Sequence, residues 1–317
     1  GRGPDPRIAE GMVAGVAAIG RQGGLDAAIA AYGDVLKIDP QNAQAHGQLA
    51  LVYNLRDHAK QAEAAARAAI AADPLSAFAY AQLADALNSR GEYQDALAAA
   101  EKAIELGPKL SNGYAARSAV RAALAAESSD DDLLEQAAGD ADKAIELAQA
   151  DTNLSQALAH SARGYVYWLD YQLNDEKSSI ASGVEEFNKA IGLQGQLALF
   201  RSNLGYFYDE QGEHDRAKET FEGALAADDR YGHTHAGLGW NLYALDDYPG
   251  ALAEFDQAIA LNPDDVDAYI GKSSAFQAQD EPDYDQAIAM LDKAADVAPK
   301  NPRIPTEHGW LQRAMGN

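Results

Sequence analysis

Five prolines mark a repeat along this chain. Pro40, Pro74 and Pro108 are spaced 34 residues apart, and the segments that they end read LKIDP, AIAADP and AIELGP. Pro263 and Pro299 end the segments ALNP and DVAP in the same way. A fixed period of roughly 20–50 residues indicates stacked repeats rather than one domain around a single core. Because proline cannot continue a helix, each repeat is predicted to end with a helix that stops before its proline.

The pattern inside each repeat is that of two helices. In residues 77–108, apolar side chains first recur at i, i+3, i+4 and i+7, the spacing of one helix face; they are Tyr80, Leu83, Ala84 and Leu87. Gly91 lies in the following turn, at a position suited to a helix C-terminal cap. A second apolar stripe then begins, formed by Ala96, Ala100, Ala103 and Ile104. Each repeat is therefore predicted to be an antiparallel pair, helix A and helix B.

These units resemble tetratricopeptide repeats. That family places a large residue at position 4, Leu at 7, a small residue at 8, Tyr or similar at 11, Ala at 20, an aromatic at 24, Ala at 27 and Pro at 32. The matching residues in 232–263 are His235, Leu238, Gly239, Leu242, Ala251, Phe255, Ala258 and Pro263. The resemblance implies an all-α, right-handed superhelical solenoid of about eight helix-turn-helix units with a C-terminal capping helix.

The repeat boundaries follow from this alignment. The eight repeats are predicted at 9–40, 43–74, 77–108, 111–149, 157–195, 198–229, 232–263 and 266–299. The fourth and fifth carry about seven extra residues each and the eighth carries two, which are expected in loops or in longer helices. Residues 1–8 are expected to be a flexible N-terminal remnant of a longer chain. Residues 300–317 are expected to form the capping helix, near Thr306–Met315.

Composition restricts the partners of the chain. The 317 residues are 47% hydrophobic, enough for a continuous core, and their net charge of -24 disfavours phosphate backbones and anionic membrane surfaces. The chain has no cysteine and no apolar run of 18 residues, so disulfide scaffolds and membrane insertion are not expected. The localisation stays open between cytoplasmic and extracytoplasmic, because a leader or anchor upstream of residue 1 could have been removed.

The sequence carries no complete signature of catalysis. Gly271, Lys272 and Ser273 resemble the end of a phosphate-binding loop, but they lie inside a predicted helix and lack the leading glycine. His233 and His235 are two residues apart on a helix, so they do not point together at one metal. The sequence therefore predicts no enzymatic activity, no cofactor and no metal site.

The resemblance also implies where a partner would bind. In this family helix A lines a concave groove, and contacts usually come from positions 2, 5, 9, 12 and 13. Position 9 is, in chain order, Ala17, Leu51, Asp85, Ala119, Tyr165, Tyr206, Trp240 and Ser274, and position 12 adds Trp168 and Tyr243. The aromatic residues are therefore concentrated in repeats five to seven. An error of one residue in register would place them in the core instead, but Gly164, Gly205 and Gly239 fix position 8 there.

The predicted contact residues are these aromatics with polar neighbours. The polar neighbours are Asn203, Asp209, Glu210 and His233, and Phe78 with Asp85 forms a separate, weaker candidate. Aromatic anchors often dominate binding energy, and Arg or Lys stacks favourably on their faces. We therefore predict a protein-interaction scaffold for a peptide or protein segment with basic and apolar or aromatic residues, and no nucleic-acid partner. Two alternatives remain: self-association of the solenoid, and recognition of a small ligand by an extracytoplasmic protein.

Overall fold

The computed structural model describes residues 5–299, 301 and 303–316. These residues form seventeen α-helices, and no β-strand occurs among them. The helices are α1 Pro6–Ile19, α2 Gly24–Ile38, α3 Ala43–Leu55, α4 Ala59–Ala72, α5 Ala77–Ser89, α6 Tyr93–Leu106, α7 Ser111–Ser128, α8 Asp131–Ala148, α9 Asn153–Asn174, α10 Ser178–Leu193, α11 Ala198–Glu210, α12 His214–Ala227, α13 Gly232–Ala244, α14 Tyr248–Leu261, α15 Val266–Ala278, α16 Tyr284–Val297 and α17 Arg303–Ala314. The predicted all-α repeat solenoid is confirmed.

The chain divides into two compact units, with the boundary between Phe200 and Arg201, inside α11. Within the first unit each helix packs against its neighbour in sequence, and α3, α5, α7 and α9 also pack successively against one another. In the second unit α13 packs against both α14 and α15, and α15 packs against α16 and α17. These A helices of neighbouring repeats, from α3 to α9 and from α13 to α15, are thus in direct contact, as stacking of repeats requires.

The repeated prolines stop helices as predicted. Helices α2, α4, α6, α14 and α16 each end two residues before a proline of the series. The residue before a proline is disfavoured in the α conformation, which accounts for the gap. The turn between α5 and α6 also follows the prediction, since Gly91 has a φ of 75° and lies two residues beyond Ser89, the last residue of α5.

Phenylalanine rings fill the space that glycine leaves between helices. In the second unit, a Cβ on Gly239 would lie 2.7 Å from Cε1 of Phe255, which is fully buried. Gly271 of the next A helix also lies against the Phe255 ring. Phe221 is packed in the same way between Gly205 and Gly237. A methyl group at these glycines would overlap the ring, so the close approach of the helices depends on both residue types.

The first repeat differs from its predicted register by one residue. Gly15, not Val16, lies against the Tyr32 ring, in the place that Gly239 takes against Phe255. Position 9 therefore falls on Val16, and the assignment of Ala17 to the groove series is corrected. Helix α1 also begins earlier than expected, at Pro6, because the Asp5 side chain accepts a hydrogen bond from the Arg7 amide. Residues 6–8 of the expected flexible segment are thus helical, while residues 1–4 lie outside the described residues.

The extra residues of the fourth and fifth repeats lengthen helices. Helices α7 and α8 have 18 residues each and α9 has 22, whereas α3 and α5 have 13. Helix α9 begins at Asn153, four residues before the predicted start of its repeat, because Thr152 Oγ1 accepts a hydrogen bond from the Ser155 amide. The last helix likewise starts at Arg303 rather than near Thr306.

Candidate functional site

Two aromatic side chains of the predicted site are in contact in the second unit. The Tyr206 ring on α11 lies 4.6 Å from the His233 ring on α13, with an interplanar angle of 31°. The Tyr206 hydroxyl donates a hydrogen bond to the His233 carbonyl oxygen at 3.1 Å. Both side chains are half-buried, and Phe221 contacts Tyr206 edge-on from the core. Tyr206 and His233 are therefore fixed in orientation while part of each ring faces solvent.

A second aromatic pair is formed by Trp240 and Tyr243 on α13. Their rings are 5.7 Å apart at 79°, and Trp240 also packs edge-on against buried Phe255 at 5.5 Å. The Trp240 indole N–H donates to Asp267 Oδ2 at 2.8 Å. Both aromatic side chains are half-buried. We call Tyr206, His233, Trp240 and Tyr243 together the aromatic surface of the second unit.

Acidic residues of α15 and its N-cap adjoin this aromatic surface. Burial lowers the pKa of His233, and the nearby carboxylates of Asp265 and Asp267 act in the opposite direction. Asp267 Oδ1 accepts a hydrogen bond from the Arg303 guanidinium of α17 at 2.7 Å. Asp265, Asp267 and Arg303 were not among the contact residues predicted from the sequence. The signal for Asp267 was present, since it occupies position 2 of the eighth repeat as His233 does in the seventh.

Asp209 has a structural role among the predicted polar neighbours. Its Oδ1 lies 2.7 Å from His214 Nδ1 and accepts a hydrogen bond from the Asn241 amide, also at 2.7 Å. Asn241 is fully buried and donates as well to the His214 carbonyl oxygen. Asp209 thus links α11 to the start of α12 and to α13. Asn203 is half-buried and Glu210 is exposed, both on α11.

The other predicted aromatic residues belong to the first unit. Tyr165 and Trp168 lie on α9 with their rings 5.6 Å apart at 85°. Tyr165 also packs against a core cluster that contains Leu134, Val166 and Leu169. Both rings are half-buried, so each combines core packing with a surface that partly faces solvent.

Phe78 and Asp85 lie two turns apart on α5, also in the first unit. Half-buried Phe78 lines a shallow depression of about 330 Å³ together with Gln44, Gly47 and Ser76. Burial raises the pKa of Asp85 to about 7. Its carboxyl group has no hydrogen-bond or ion-pair partner within the part of the chain that the structure describes. The structure therefore places an apolar and an acidic side chain on one helix without joining them in one contact.

The described residues contain no group of three or more His, Asp or Glu side chains placed to hold a metal ion. None of their helices combines the length and the apolar character needed to cross a bilayer.

The fold and these surfaces define a helical-repeat protein with partly exposed aromatic side chains. Tetratricopeptide repeat models match the sequence over residues 20–77 and 55–111 and over residues 210–279, which together are about half of the chain. A search of the curated proteins found no match. The chain belongs to the tetratricopeptide repeat family. Repeats of this family generally act as non-catalytic scaffolds for protein–protein interaction.

Solved structures with the same fold are similar in backbone but remote in sequence. The Cut9–Hcn1 hetero-tetramer of the APC/C matches with a TM-score of 0.60 and 15% identity, over 97% of this chain and 55% of that one. Yeast Tom70 matches with a TM-score of 0.55 and 16% identity, over 97% of this chain and 64% of Tom70. A human IFIT1 dimer with PPP-AAAA matches with a TM-score of 0.56 and 15% identity, over 93% and 69%. The chain thus spans little more than half the length of its Cut9–Hcn1 match.

Proposed function

We propose that this chain is a non-catalytic scaffold that binds a peptide or protein segment through the aromatic surface of the second unit. The observation that carries the proposal is a set of four half-buried aromatic side chains, Tyr206, His233, Trp240 and Tyr243, of which Trp240 is hydrogen-bonded to the Asp267 carboxylate and His233 lies near it. Such side chains offer large apolar contact area, and packing and hydrogen bonds already fix their orientation, so little entropy is lost on binding.

The bound segment is expected to carry Arg or Lys next to an apolar or aromatic residue. A cation over a Tyr or Trp face is worth about 0.5–2 kcal/mol, and the acidic groups at Asp265 and Asp267 attract the same charge. The net charge of -24 favours the encounter with a basic segment and disfavours a nucleic acid. PPP-AAAA is the ligand of the human IFIT1 structure, which is 15% identical to this chain. We do not propose that ligand for this chain.

The first unit has proposed contact residues of its own. Tyr165 with Trp168 on α9, and Phe78 with Asp85 on α5, combine partial exposure with aromatic or acidic chemistry. Asn203 and Glu210 of the second unit remain proposed polar contacts. Asp209 is a weaker candidate, because its Oδ1 is already hydrogen-bonded to Asn241 and lies 2.7 Å from His214 Nδ1.

Selection of peptides on the intact chain tests this function. Random twelve-residue peptides displayed on phage are selected on the wild-type protein, and enriched peptides should carry Arg or Lys beside an aromatic or large aliphatic residue. Replacement of Tyr206 and Trp240 by Ala should weaken the binding of the tightest of these peptides by at least about 2 kcal/mol, roughly 30-fold in Kd.

A matched control and a fold check accompany the double variant. Tyr80→Ala removes a half-buried tyrosine of α5 in the first unit and should leave the affinity unchanged. Circular dichroism should report equal helical content for all three proteins. Equal affinity of the double variant and the wild type would contradict the proposed surface.

A further inference from the structure

Both carboxylate oxygens of Asp267 are engaged within the second unit. Oδ2 accepts the Trp240 indole N–H at 2.8 Å, and Oδ1 accepts the Arg303 guanidinium at 2.7 Å. The Asp267 carboxylate, which adjoins the aromatic surface, is therefore already bound to a guanidinium, that of Arg303 in the same chain. We propose that Asp267 is the arginine-binding position of the aromatic surface and that Arg303 of α17 occupies it until an arginine of the partner takes its place. This inference rests on the proposed function and deepens it.

The chemistry of the position suits arginine better than lysine. A guanidinium is planar and donates several hydrogen bonds in one plane, so it pairs with a carboxylate while its face rests on an aromatic ring. Here the carboxylate of Asp267 is directed by its bond to Trp240, and Trp240 is itself packed against Phe255. A lysine ammonium supplies the charge without the planar match.

The bond between Arg303 and Asp267 is placed where it can be exchanged. The Arg303 side chain is 52% exposed and the Asp267 side chain 37% exposed, and ion pairs with this exposure contribute little stability. Helix α17 packs mainly through other side chains, since Ile304 and Leu311 are its buried residues. The Arg303 main-chain amide donates to Asn301 Oδ1, a bond that does not involve the guanidinium. The Arg303 side chain can therefore leave Asp267 while α17 stays packed.

The consequence is competition inside the molecule. A partner arginine has to displace Arg303, so the measured affinity of the aromatic surface is lower than that of the same surface with Asp267 free. Removal of the Arg303 guanidinium is expected to tighten arginine binding. If the ion pair served only to fix α17, the same removal would leave arginine binding unchanged.

The test uses the whole chain and three labelled synthetic peptides. Each has seven residues, with phenylalanine on either side of a central arginine, lysine or citrulline, the last being a neutral analogue of arginine. Fluorescence anisotropy gives the Kd of each peptide for the wild type and for Arg303→Gln. We expect Arg303→Gln to bind the arginine peptide about three- to tenfold more tightly and the citrulline peptide no more tightly than the wild type does.

Three variants serve as controls. Arg313→Gln removes the same charge from an exposed position of α17, where the guanidinium donates a hydrogen bond to the Gly309 carbonyl oxygen, and should bind like the wild type. Arg303→Lys keeps a cation at the position and should return the affinity towards that of the wild type. Asp267→Asn in the Arg303→Gln background should abolish the gain. Thermal melts followed by circular dichroism check that each variant is folded.

The outcomes separate the two proposals. Binding of the arginine peptide by the wild type with no gain in Arg303→Gln would overturn the inference and leave the proposed function standing. An equal gain for the lysine peptide would overturn the assignment to arginine. No binding of any peptide by the wild type or by Arg303→Gln would contradict both the inference and the proposed function.

Discussion

Asp85 illustrates what burial does to a single carboxyl group in this chain. Burial alone raises its pKa to about 7, with no hydrogen bond or opposite charge from the described residues to favour the ionised form. In the unfolded chain the same group ionises at about pH 3.9. Between these pH values the folded chain retains a proton that the unfolded chain has lost. The free energy of unfolding therefore falls as the pH rises through this range.

Replacing Asp85 by Asn should remove this pH-dependent cost. We expect Asp85→Asn to be more stable than the wild type by at least about 2 kcal/mol above pH 7, and the difference to shrink towards zero near pH 4. Urea denaturation at a series of pH values measures it. Asp95→Asn, at an exposed position of α6, should change stability by only a few tenths of a kcal/mol. A gain for Asp85→Asn that does not depend on pH would contradict this explanation.

At the scale of helices, the features that could be predicted from the sequence are those set by neighbouring residues in the chain. The prolines located the ends of α2, α4, α6, α14 and α16, because proline acts on its own neighbourhood in the chain. The register of α1 was not predicted, because it depends on which glycine meets the Tyr32 ring across the helix pair. The insertions in the fourth and fifth repeats were predicted as extra length, but whether they form loops or longer helices is decided by packing.

In the candidate site, too, the positions of residues along the chain were predicted from the sequence, and the contacts between repeats were not. The period of the repeat gave the positions of Tyr206, His233, Trp240 and Tyr243 on the A helices. It did not give the ring contact between Tyr206 and His233 or the hydrogen bond between Trp240 and Asp267, which depend on side-chain rotamers across neighbouring repeats. Arg303 was missed because α17 begins three residues earlier than the expected capping helix.

The contact between Gly239 and Phe255 determines how closely α13 and α14 approach. A Cβ at Gly239 would lie 2.7 Å from Phe255 Cε1, and Phe255 is fully buried with Gly271 on its other side. We expect Gly239→Ala to lower the free energy of unfolding by about 1–3 kcal/mol, because overpacking outweighs the better helix propensity of alanine. Urea denaturation measures the change.

The matched control for this prediction is Gly223→Ala inside α12. Its Cβ would meet only Arg201 Cδ at 3.7 Å, an ordinary contact, so alanine should stabilise the protein by up to about 1 kcal/mol. Equal stability of the two variants would mean that the Phe255 ring moves aside freely, contrary to its packing.

At the scale of the whole molecule, the net charge of -24 opposes the compact state through self-repulsion. Raising NaCl from 0.1 to 1 M shortens the screening length from about 10 to about 3 Å. We therefore expect the thermal midpoint at pH 7 to rise by a few degrees over this range. At pH 4.5, close to the isoelectric point, the same salt should have little effect. A midpoint that falls with salt at pH 7 would indicate that attractive ion pairs dominate instead.

The ring of Phe255 belongs to one repeat, yet one of the two glycines around it belongs to the next. Gly237 and Gly271 are 34 residues apart and take the same place against Phe221 and Phe255. Removal of residues 232–265 would therefore bring Gly271 to Phe221, and the aromatic–glycine match would be preserved. An excision one residue shorter or longer would instead bring Ile270 or Lys272 against the Phe221 ring. Loss or gain of one whole period is therefore expected to preserve the aromatic–glycine match in this part of the chain, whereas a shift of one residue is expected to break it.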